Sequence, residues 1–333
     1  FEVFVKRFLK NDPYWSSQVD QIWLWDEWPG RWGRDKGIDL VFKHKNGEIW
    51  AVQAKCYSQD YYITKSDVDK FLSESNRIQI DKRLLIATTD MLGENAIDAI
   101  ENQHPKEVIR FLFSDFEKAE FVYPDHISDL SKAKRKDPPS PRLHQLEAIE
   151  ATEVGFENNN RGQLIMACGT GKTYTTLWVT ERISAQSTLV LVPSLSLLSQ
   201  TVREWTFAAN DPFDVMCVCS DDSVGDQTDE DSILKNVKDL SFPVTDDSEK
   251  IKHFLKGKGK KVIFSTYQSS PLIAESQCDI NSQVFDLAIA DESHRCTGEE
   301  SETFSKILSD SLIKAKRRLF VTATRKIYKS YVM

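Results

Sequence analysis

Apolar residues in the first part of the chain follow two different periods. They recur at helical spacing over residues 1–9, whereas residues 22–25, 38–42 and 49–53 are short apolar runs of the kind that form strands. An Asn-Gly pair at 46–47 separates the last two runs and favours a two-residue hairpin turn. The pattern therefore predicts a helix, a strand and a β-hairpin, in that order.

This alternation continues to about residue 130 and then stops. Helices are predicted over residues 65–75 and 93–102, and strands at 84–87 and 111–113. Residues 131–141 are rich in Lys, Arg and Pro and have no apolar face. This composition favours a solvated linker over a DNA-binding segment, so we expect the first domain to end there.

Continuous apolar runs separated by helical stretches follow the linker. They lie at residues 164–166, 189–192, 215–218, 262–264, 287–290 and 318–321. Such runs are typical of a parallel sheet with helices on both faces. The predicted fold class is α/β, with domains at 1–130 and 142–333 joined by a linker at 131–141. Residues 221–250, crowded with Asp and Ser, are expected to form a surface insertion.

Composition excludes several classes of protein. A length of 333 residues with 40% hydrophobic and 28% charged residues fits about two folded domains. The net charge of −8 excludes a small basic DNA-binding module, but not a large nucleic-acid motor with basic grooves. No apolar run reaches transmembrane length, so no membrane partner is expected. The six cysteines contain no C-x-x-C pair, which favours reduced thiols in a cytoplasm over a zinc site.

A glycine-rich segment after the strand at 164–166 is a candidate nucleotide site. It reads Met-Ala-Cys-Gly-Thr-Gly-Lys-Thr, with a methionine where the general P-loop pattern has a glycine. Gly169, Thr170 and Gly171 allow backbone N–H groups to surround phosphates. Lys172 is predicted to neutralise the β- and γ-phosphates of ATP, and the Thr173 hydroxyl to hold Mg²⁺.

Two carboxylates directly follow the apolar run at 287–290. At the carboxyl end of a parallel strand they would face the P-loop, where Asp291 suits a Mg²⁺ ligand and Glu292 suits a group that orients the attacking water. The alternative is an acidic surface turn. The order of the remaining segments favours the catalytic interpretation.

From about residue 141 onward, the series of segments resembles superfamily 2 helicases. Arg142 and Gln145 lie in a segment similar to the adenine-recognising motif, in which Gln145 would read the base. Pro193 and Ser194, and then Thr266 in the segment 265–268, match the two motifs that grip a DNA backbone. The resemblance implies a RecA-like, doubly wound ATPase lobe.

Two further motifs complete the resemblance. His294 is the last residue of a D-E-x-H box, and Thr322 and Thr324 match the motif that couples hydrolysis to movement, with Arg325 where the family usually has a proline. Such motors need a second RecA-like lobe that contributes an arginine finger. We expect this chain to carry the first lobe only.

The predicted hairpin places another set of reactive side chains together. Gln53 and Lys55 share one face of their strand, because side chains alternate with period two, and Asp39 would lie close to both. A carboxylate and an amide oxygen suit Mg²⁺, and a lysine beside the attacking water suits phosphodiester hydrolysis. The alternative is an ordinary amphipathic hairpin.

Residues 1–125 resemble the Mrr-like branch of the PD-(D/E)xK nucleases. Asp39 matches the aspartate of the motif, Gln53 and Lys55 match its Q-x-K, and Glu2 matches an extra acidic position, so the resemblance implies metal ligation by Glu2, Asp39 and Gln53. The implied domain has a restriction-endonuclease-like α/β fold.

A nuclease joined to such a motor is similar to Type ISP restriction–modification enzymes. That resemblance implies translocation on double-stranded DNA driven by ATP, cleavage by the nuclease, and phage defence in a bacterial cytoplasm. S-adenosylmethionine would enter only through methyltransferase domains outside this chain.

Three alternatives stay open at this point. One is the motor subunit of a Type I restriction enzyme, which usually has an acid in place of Gln53; another is a stand-alone phage-defence helicase–nuclease. The third is a catalytically inactive nuclease domain that acts as a DNA clamp. A tryptophan cluster at 23–32 is predicted to pack in the first domain rather than to stack on bases.

Overall fold

The computed structural model describes residues 1–34, 37–126, 129, 132–220, 236–278, 283–293, 307 and 309–323. The chain divides into two compact units. The N-terminal unit contains Phe1–Asp137 and Lys238–Pro243, and the C-terminal unit contains Pro138–Val237 and Val244–Met333.

The N-terminal unit is built on a five-stranded mixed sheet with strand order β1-β2-β3-β4-β5. The first three strands pair antiparallel, and the last three pair parallel. The strands are β1 (Val19–Leu24), β2 (Leu40–His44), β3 (Ile49–Lys55), β4 (Lys82–Ala87) and β5 (Val108–Phe111). The helices are α1 (Glu2–Asn11), α2 (Pro13–Gln18), α3 (Lys65–Glu74), α4 (Glu94–Glu101) and α5 (Phe113–Lys118).

Helix α1 buries one apolar face, as its spacing predicted. Phe4, Val5, Phe8 and Leu9 are buried, while Glu2 in the first turn is exposed. Apolar residues at spacings of three and four lie on one side of a helix, so burial of these four leaves the charged residues in solvent. Helix α1 therefore packs through its apolar side and presents Glu2 outward.

The predicted hairpin between β2 and β3 is confirmed. Gly47 adopts φ +97, a left-handed conformation that glycine enters with little steric cost. The register begins by pairing Leu40 with Val52. Asp39 lies just before β2 rather than within it, although its N–H still donates to the Val52 carbonyl at 2.9 Å.

Two predicted strands end earlier than their hydrophobicity suggests. β1 ends at Leu24, whose N–H donates to the Glu27 carboxylate at 2.9 Å. β5 ends at Phe111, and the next N–H, that of Leu112, donates to the Asp115 carboxylate at 3.0 Å. In both cases a local bond from backbone to side chain starts a helical turn, which competes with extension of the strand.

Part of the segment predicted as a linker is ordered in the N-terminal unit. β7 (Lys134–Arg135) pairs antiparallel with β6 (Phe121–Val122), and the Lys136 N–H donates to the Glu120 carbonyl at 2.8 Å. Backbone groups of a short strand need partners, and this basic stretch supplies them although it has no apolar face. The division between the units falls after Asp137.

A short segment from the predicted insertion also belongs to the N-terminal unit. Within Lys238–Pro243, Phe242 packs on Tyr14 with ring centroids 5.3 Å apart, and Asp239 accepts a hydrogen bond from Arg110 at 3.0 Å. Residues 221–235 of the predicted insertion lie outside the described residues. The insertion is therefore not a uniform surface loop.

The C-terminal unit is built on a six-stranded sheet with strand order β10-β11-β9-β12-β13-β8, and every pairing in it is parallel. The strands are β8 (Arg161–Ile165), β9 (Ser187–Val192), β10 (Asp214–Val218), β11 (Lys261–Thr266), β12 (Phe285–Ala290) and β13 (Ala315–Thr322). The helices are α6 (Leu143–Asn158), α7 (Lys172–Arg182), α8 (Leu195–Ala208), α9 (Ser248–Lys256) and α10 (Ser270–Ser276).

The parallel sheet confirms the predicted α/β class. All residues of β9 and β11 are buried, which explains why these strands are continuous apolar runs rather than alternating ones. Because every strand is parallel, all the carboxyl ends meet at one edge, where ligands bind in open α/β sheets. In the part of the chain that the structure describes, no helix is long and apolar enough to cross a membrane.

Candidate active sites

The P-loop lies between β8 and the first residue of α7. Gly169 and Gly171 both have left-handed backbone conformations, with φ +73 and φ +81. A Cβ atom on Gly171 would lie 2.5 Å from the Gln145 amide nitrogen, so a side chain there would push that amide away. Backbone N–H groups at a helix start attract phosphate, so the loop fits a nucleotide.

Gln145 holds the P-loop from the side. Its Oε1 accepts from the Arg142 N–H at 2.8 Å, and its Nε2 donates to the carbonyls of Thr170 at 3.2 Å and Gly171 at 3.3 Å. The side chain is 4% exposed. The Gln145 amide, which is predicted to read adenine, thus has protein partners for both its oxygen and its nitrogen. A contact with the base would either add to these hydrogen bonds or replace one of them.

Lys172 and Glu292 form an ion pair across the proposed hydrolysis site. Lys172 Nζ lies 3.2 Å from Glu292 Oε1, and both side chains are largely buried. Glu292 has φ +47, a conformation that residues other than glycine rarely adopt and that persists only where the surroundings hold it. The P-loop lysine and the carboxylate predicted to orient water are therefore in direct contact.

Asp291 lies beside this pair, directly after β12. Burial raises the pKa of Asp291 to about 6. The negative charge of Glu292 also raises this pKa, and the positive charge of Lys172 partly opposes the shift. Thr173 stands at the start of α7, so a hydroxyl and a carboxylate are available as hard oxygen ligands of the kind Mg²⁺ prefers. The donor set fits a magnesium–nucleotide complex.

The predicted DNA-contacting residues lie where strands end. Pro193 and Ser194 follow β9, and Ser194 caps α8 by accepting from the Leu197 N–H at 3.3 Å. Thr266 ends β11, but its side chain is only 2% exposed and donates to Ser269 Oγ at 3.1 Å. The Thr266 hydroxyl thus already has a partner within the protein.

The predicted coupling motif is described in part. Thr322 ends β13, and its carbonyl accepts from the Met166 N–H at 3.1 Å, which joins this motif to the start of the P-loop. His294 and Thr324 lie outside the described residues.

Sequence reasoning gave no role to two residues that support the hydrolysis site. Trp205 Nε1 donates to the Thr173 carbonyl at 2.9 Å, and the Tyr267 hydroxyl donates to the Asp291 carbonyl at 2.7 Å. Tyr267 lies within a helicase-like motif, which is a signal that could have indicated it. Trp205 lies on α8, and no local pattern distinguishes it from an ordinary core residue.

In the N-terminal unit, the hairpin places the Asp39 carboxylate against the strand that carries Gln53 and Lys55. Asp39 Oδ2 accepts from the Ala54 N–H at 2.7 Å, which fixes the carboxylate against β3. Ala54 lies between Gln53 and Lys55 in β3, so this bond sets the Asp39 carboxylate beside the segment that carries both residues, and Gln53 and Lys55 share one face of that strand. The arrangement places a carboxylate beside a strand segment that carries an amide and an ammonium group.

Gln53 carries an unpaired acceptor at this site. The residue is 3% exposed, its Nε2 donates to the Gly37 carbonyl at 3.2 Å, and its Oε1 is buried without a hydrogen-bond donor. A buried acceptor without a partner costs about 1–3 kcal/mol. A buried amide oxygen without a hydrogen-bond donor, in the strand against which Asp39 lies, can serve as a ligand of a hard divalent cation.

Glu2 and the tryptophans have different surroundings. Glu2 lies in the exposed first turn of α1, and among the described residues no group of three or more His, Cys, Asp and Glu side chains has metal-binding geometry. Trp25 and Trp28 are buried and lie with their ring centroids 4.9 and 5.8 Å from Trp32. The cluster therefore packs within the unit, as predicted.

Known proteins match both parts of the chain. A family model described as a restriction endonuclease matches residues 10–132. A solved structure of the ATP-dependent Type ISP restriction-modification enzyme LlaBIII bound to DNA superimposes with a TM-score of 0.84 and is 32% identical. The match covers 98% of this chain and 22% of that one.

Viral helicases are similar to a large part of the chain. The probable helicase A859L of African swine fever virus (isolate Pig/Kenya/KEN-50/1950) is 28% identical over 265 residues, which covers 75% of this chain and 28% of the viral protein. The same protein from the isolate Tick/Malawi/Lil 20-1/1983 is 29% identical over 220 residues, which covers 66% of this chain and 23% of that protein. The chain thus spans about a quarter of the length of these relatives.

The comparisons confirm the predicted order of a nuclease domain followed by a helicase-type ATPase domain, and the resemblance to Type ISP enzymes. Both are enzyme domains, and together they imply the use of a nucleotide and a divalent metal. A second family model matches residues 139–327, more than half of the chain, so the chain belongs to the family described as Type III restriction enzyme, res subunit.

Proposed function

We propose that the chain is the nuclease and motor part of an ATP-dependent restriction enzyme that acts on double-stranded DNA. The observation that carries the proposal is the presence of two separate reactive sites in one chain. One contains Lys172, Asp291 and Glu292, and the other contains Asp39 and Gln53. The match to an enzyme of the Type ISP class over nearly the whole chain supports the proposal.

At the motor site, nucleotide binding requires an exchange of partners. The phosphates of ATP take the Lys172 ammonium from Glu292, and the released carboxylate is then free to orient the attacking water. Mg²⁺, held by Thr173 and Asp291, would neutralise charge on the phosphates. Hydrolysis would drive movement along DNA held by the segments at 193–194 and 265–268.

At the nuclease site, the residues are arranged for a cation without such an exchange. Asp39 and Gln53 would hold Mg²⁺, which activates water for attack on a phosphodiester bond. Lys55 on the same face places a positive charge where negative charge develops on the phosphate. Glu2 stays a proposed additional ligand. S-adenosylmethionine would bind only in parts of the enzyme outside this chain. The proposed place of action is a bacterial cytoplasm.

The test is DNA cleavage by the purified full-length enzyme. Plasmids carrying its recognition site should be cut only when both Mg²⁺ and hydrolysable ATP are present, and ATP hydrolysis should rise when that DNA is added. Cleavage at the same rate without ATP would contradict a motor-driven nuclease. An enzyme that hydrolyses ATP on DNA but never cuts would identify the N-terminal unit as a DNA clamp.

A further inference from the structure

Two functional segments of the C-terminal unit are anchored on the last residues of β9. The Asp291 N–H donates to the Leu191 carbonyl at 2.9 Å, and the Tyr267 N–H donates to the Val192 carbonyl at 3.1 Å. β9 lies between β11 and β12 in the sheet. These bonds therefore connect the turn that follows β11 and the turn that follows β12 to the same end of β9. The proposed DNA-gripping turn and the carboxylate pair therefore share one support.

Tyr267 also connects the two segments directly. Its side chain is fully buried, and its hydroxyl donates to the Asp291 carbonyl at 2.7 Å. Adjacent strands are about 4.8 Å apart, so the turns after β11 and β12 are separated by roughly two such spacings. The tyrosine side chain crosses the end of β9 and closes this gap.

The acceptor of this bond has a specific position. The Asp291 carbonyl belongs to the peptide plane that joins Asp291 to Glu292, and Glu292 holds the rare φ of +47. A strained conformation of this kind persists only where neighbouring groups fix it. A hydrogen bond to that carbonyl therefore restrains the peptide plane, and with it the direction of the Glu292 carboxylate.

We infer that Tyr267 is a positioning residue that couples DNA contact at the segment 265–268 to the orientation of Glu292. The inference rests on the proposed function, because it needs a motor whose ATP hydrolysis responds to DNA. When DNA orders this turn, the Tyr267 hydroxyl transmits the change to the carbonyl before Glu292. Removing the hydroxyl leaves the backbone anchors of both segments on β9 in place.

The experiment is Tyr267→Phe in the full-length enzyme. Phenylalanine keeps the buried ring and removes only the donor. The measured quantity is the ratio of ATP hydrolysis rates with and without saturating double-stranded DNA. We expect this ratio to fall about tenfold, while the KM for ATP changes by less than about twofold. Because the ratio comes from one preparation, the fraction of folded enzyme cancels.

Tyr123 offers a matched control in the other unit. Its hydroxyl also donates to a backbone carbonyl, that of Phe116, at 3.2 Å. Tyr123→Phe removes the same kind of bond and should leave the ratio at the wild-type value. A wild-type ratio in Tyr267→Phe, or an equal fall in both of its rates, would overturn the coupling role. A wild-type enzyme that DNA does not stimulate would instead contradict the proposed motor function.

Discussion

The two candidate sites differ in whether their polar groups already have partners within the protein. In the motor, Lys172 is paired with Glu292, and the Gln145 amide is bonded to the P-loop. In the nuclease, Gln53 Oε1 is buried without a donor beside a carboxylate that is fixed by the backbone. The motor site must therefore exchange internal contacts when a nucleotide binds. The nuclease site has a side-chain oxygen that can bind a metal ion without such an exchange.

The largest effect is expected from removing the preformed ligand at the nuclease site. Gln53→Ala deletes the oxygen, and Lys55→Ala deletes the charge beside the reacting phosphate, so each should reduce cleavage by about 10²-fold or more at millimolar Mg²⁺. Gln53→Glu keeps an oxygen ligand and should retain part of the activity. Cleavage and thermal stability are measured on the same proteins.

We expect the Gln53→Ala and Lys55→Ala proteins to lose cleavage activity while keeping their thermal stability. Gln53→Ala also removes an unpaired buried acceptor, so its loss of stability should be small. If cleavage falls only in step with the melting temperature, the hairpin is structural and the preformed site is wrong.

A second effect concerns the exchange of contacts in the motor. Glu292→Gln removes the charge that holds Lys172, and release of an ion pair worth about 1 kcal/mol should let ATP bind about fivefold more tightly. Hydrolysis should fall by about 10²-fold or more, because the water-orienting carboxylate is lost. Binding of a fluorescent nucleotide and steady-state hydrolysis measure the two effects.

Glu153→Gln is the control for this exchange. It removes an ion pair with Arg182 at 2.7 Å in the same unit, and Arg182 lies at the opposite end of α7 from Lys172. Nucleotide affinity should not change in this variant. Unchanged affinity in Glu292→Gln as well would show that the ion pair does not compete with ATP.

A smaller effect is a pH-dependent gain in stability at Asp291. Its pKa is raised from 3.8 to about 6 by burial, so the charged carboxylate costs free energy above pH 6, and this cost declines as the pH falls from 6 to 3.8 and the group takes a proton. Asp291→Asn should therefore stabilise the nucleotide-free protein at pH 8 by about 2–3 kcal/mol, and progressively less towards pH 4. Thermal denaturation across this pH range measures the gain.

Asp286, in the strand that Asp291 follows, has a pKa shifted in the opposite direction. Burial opposes its charge, but hydrogen bonds from Lys316 and from the N–H groups of Gln186 and Ser187 lower its pKa below the usual value. Asp286→Asn should destabilise the protein at pH 8 and have little effect once the pH is below the lowered pKa. Equal effects of both substitutions at pH 8 would contradict the assignment of the Asp291 pKa to burial.

What the sequence could predict depended on local patterns. Continuous apolar strands predicted the parallel sheet, and the Asn-Gly pair at 46–47 predicted the hairpin that joins β2 to β3. These features need only residues close together in the chain, or a fixed periodicity.

Contacts between distant residues could not be predicted in this way. The bond from Tyr267 to Asp291 spans 24 positions, and the packing of Phe242 on Tyr14 joins regions that no periodicity relates. Nor does the composition of the segment at 131–141 show that Lys134–Arg135 completes a two-stranded pair. Such partners are decided by tertiary packing rather than by local propensity.

The most direct test of two separate sites in one chain is a crossed measurement of ATP hydrolysis and DNA cleavage in the full-length enzyme. Asp39→Ala should hydrolyse ATP on DNA at the wild-type rate and cut nothing, whereas Lys172→Ala should lose both hydrolysis and ATP-dependent cleavage but still bind DNA. Lys258→Ala, at an exposed position, serves as the control for Lys172→Ala. Cleavage by Asp39→Ala, or wild-type hydrolysis by Lys172→Ala, would contradict the account.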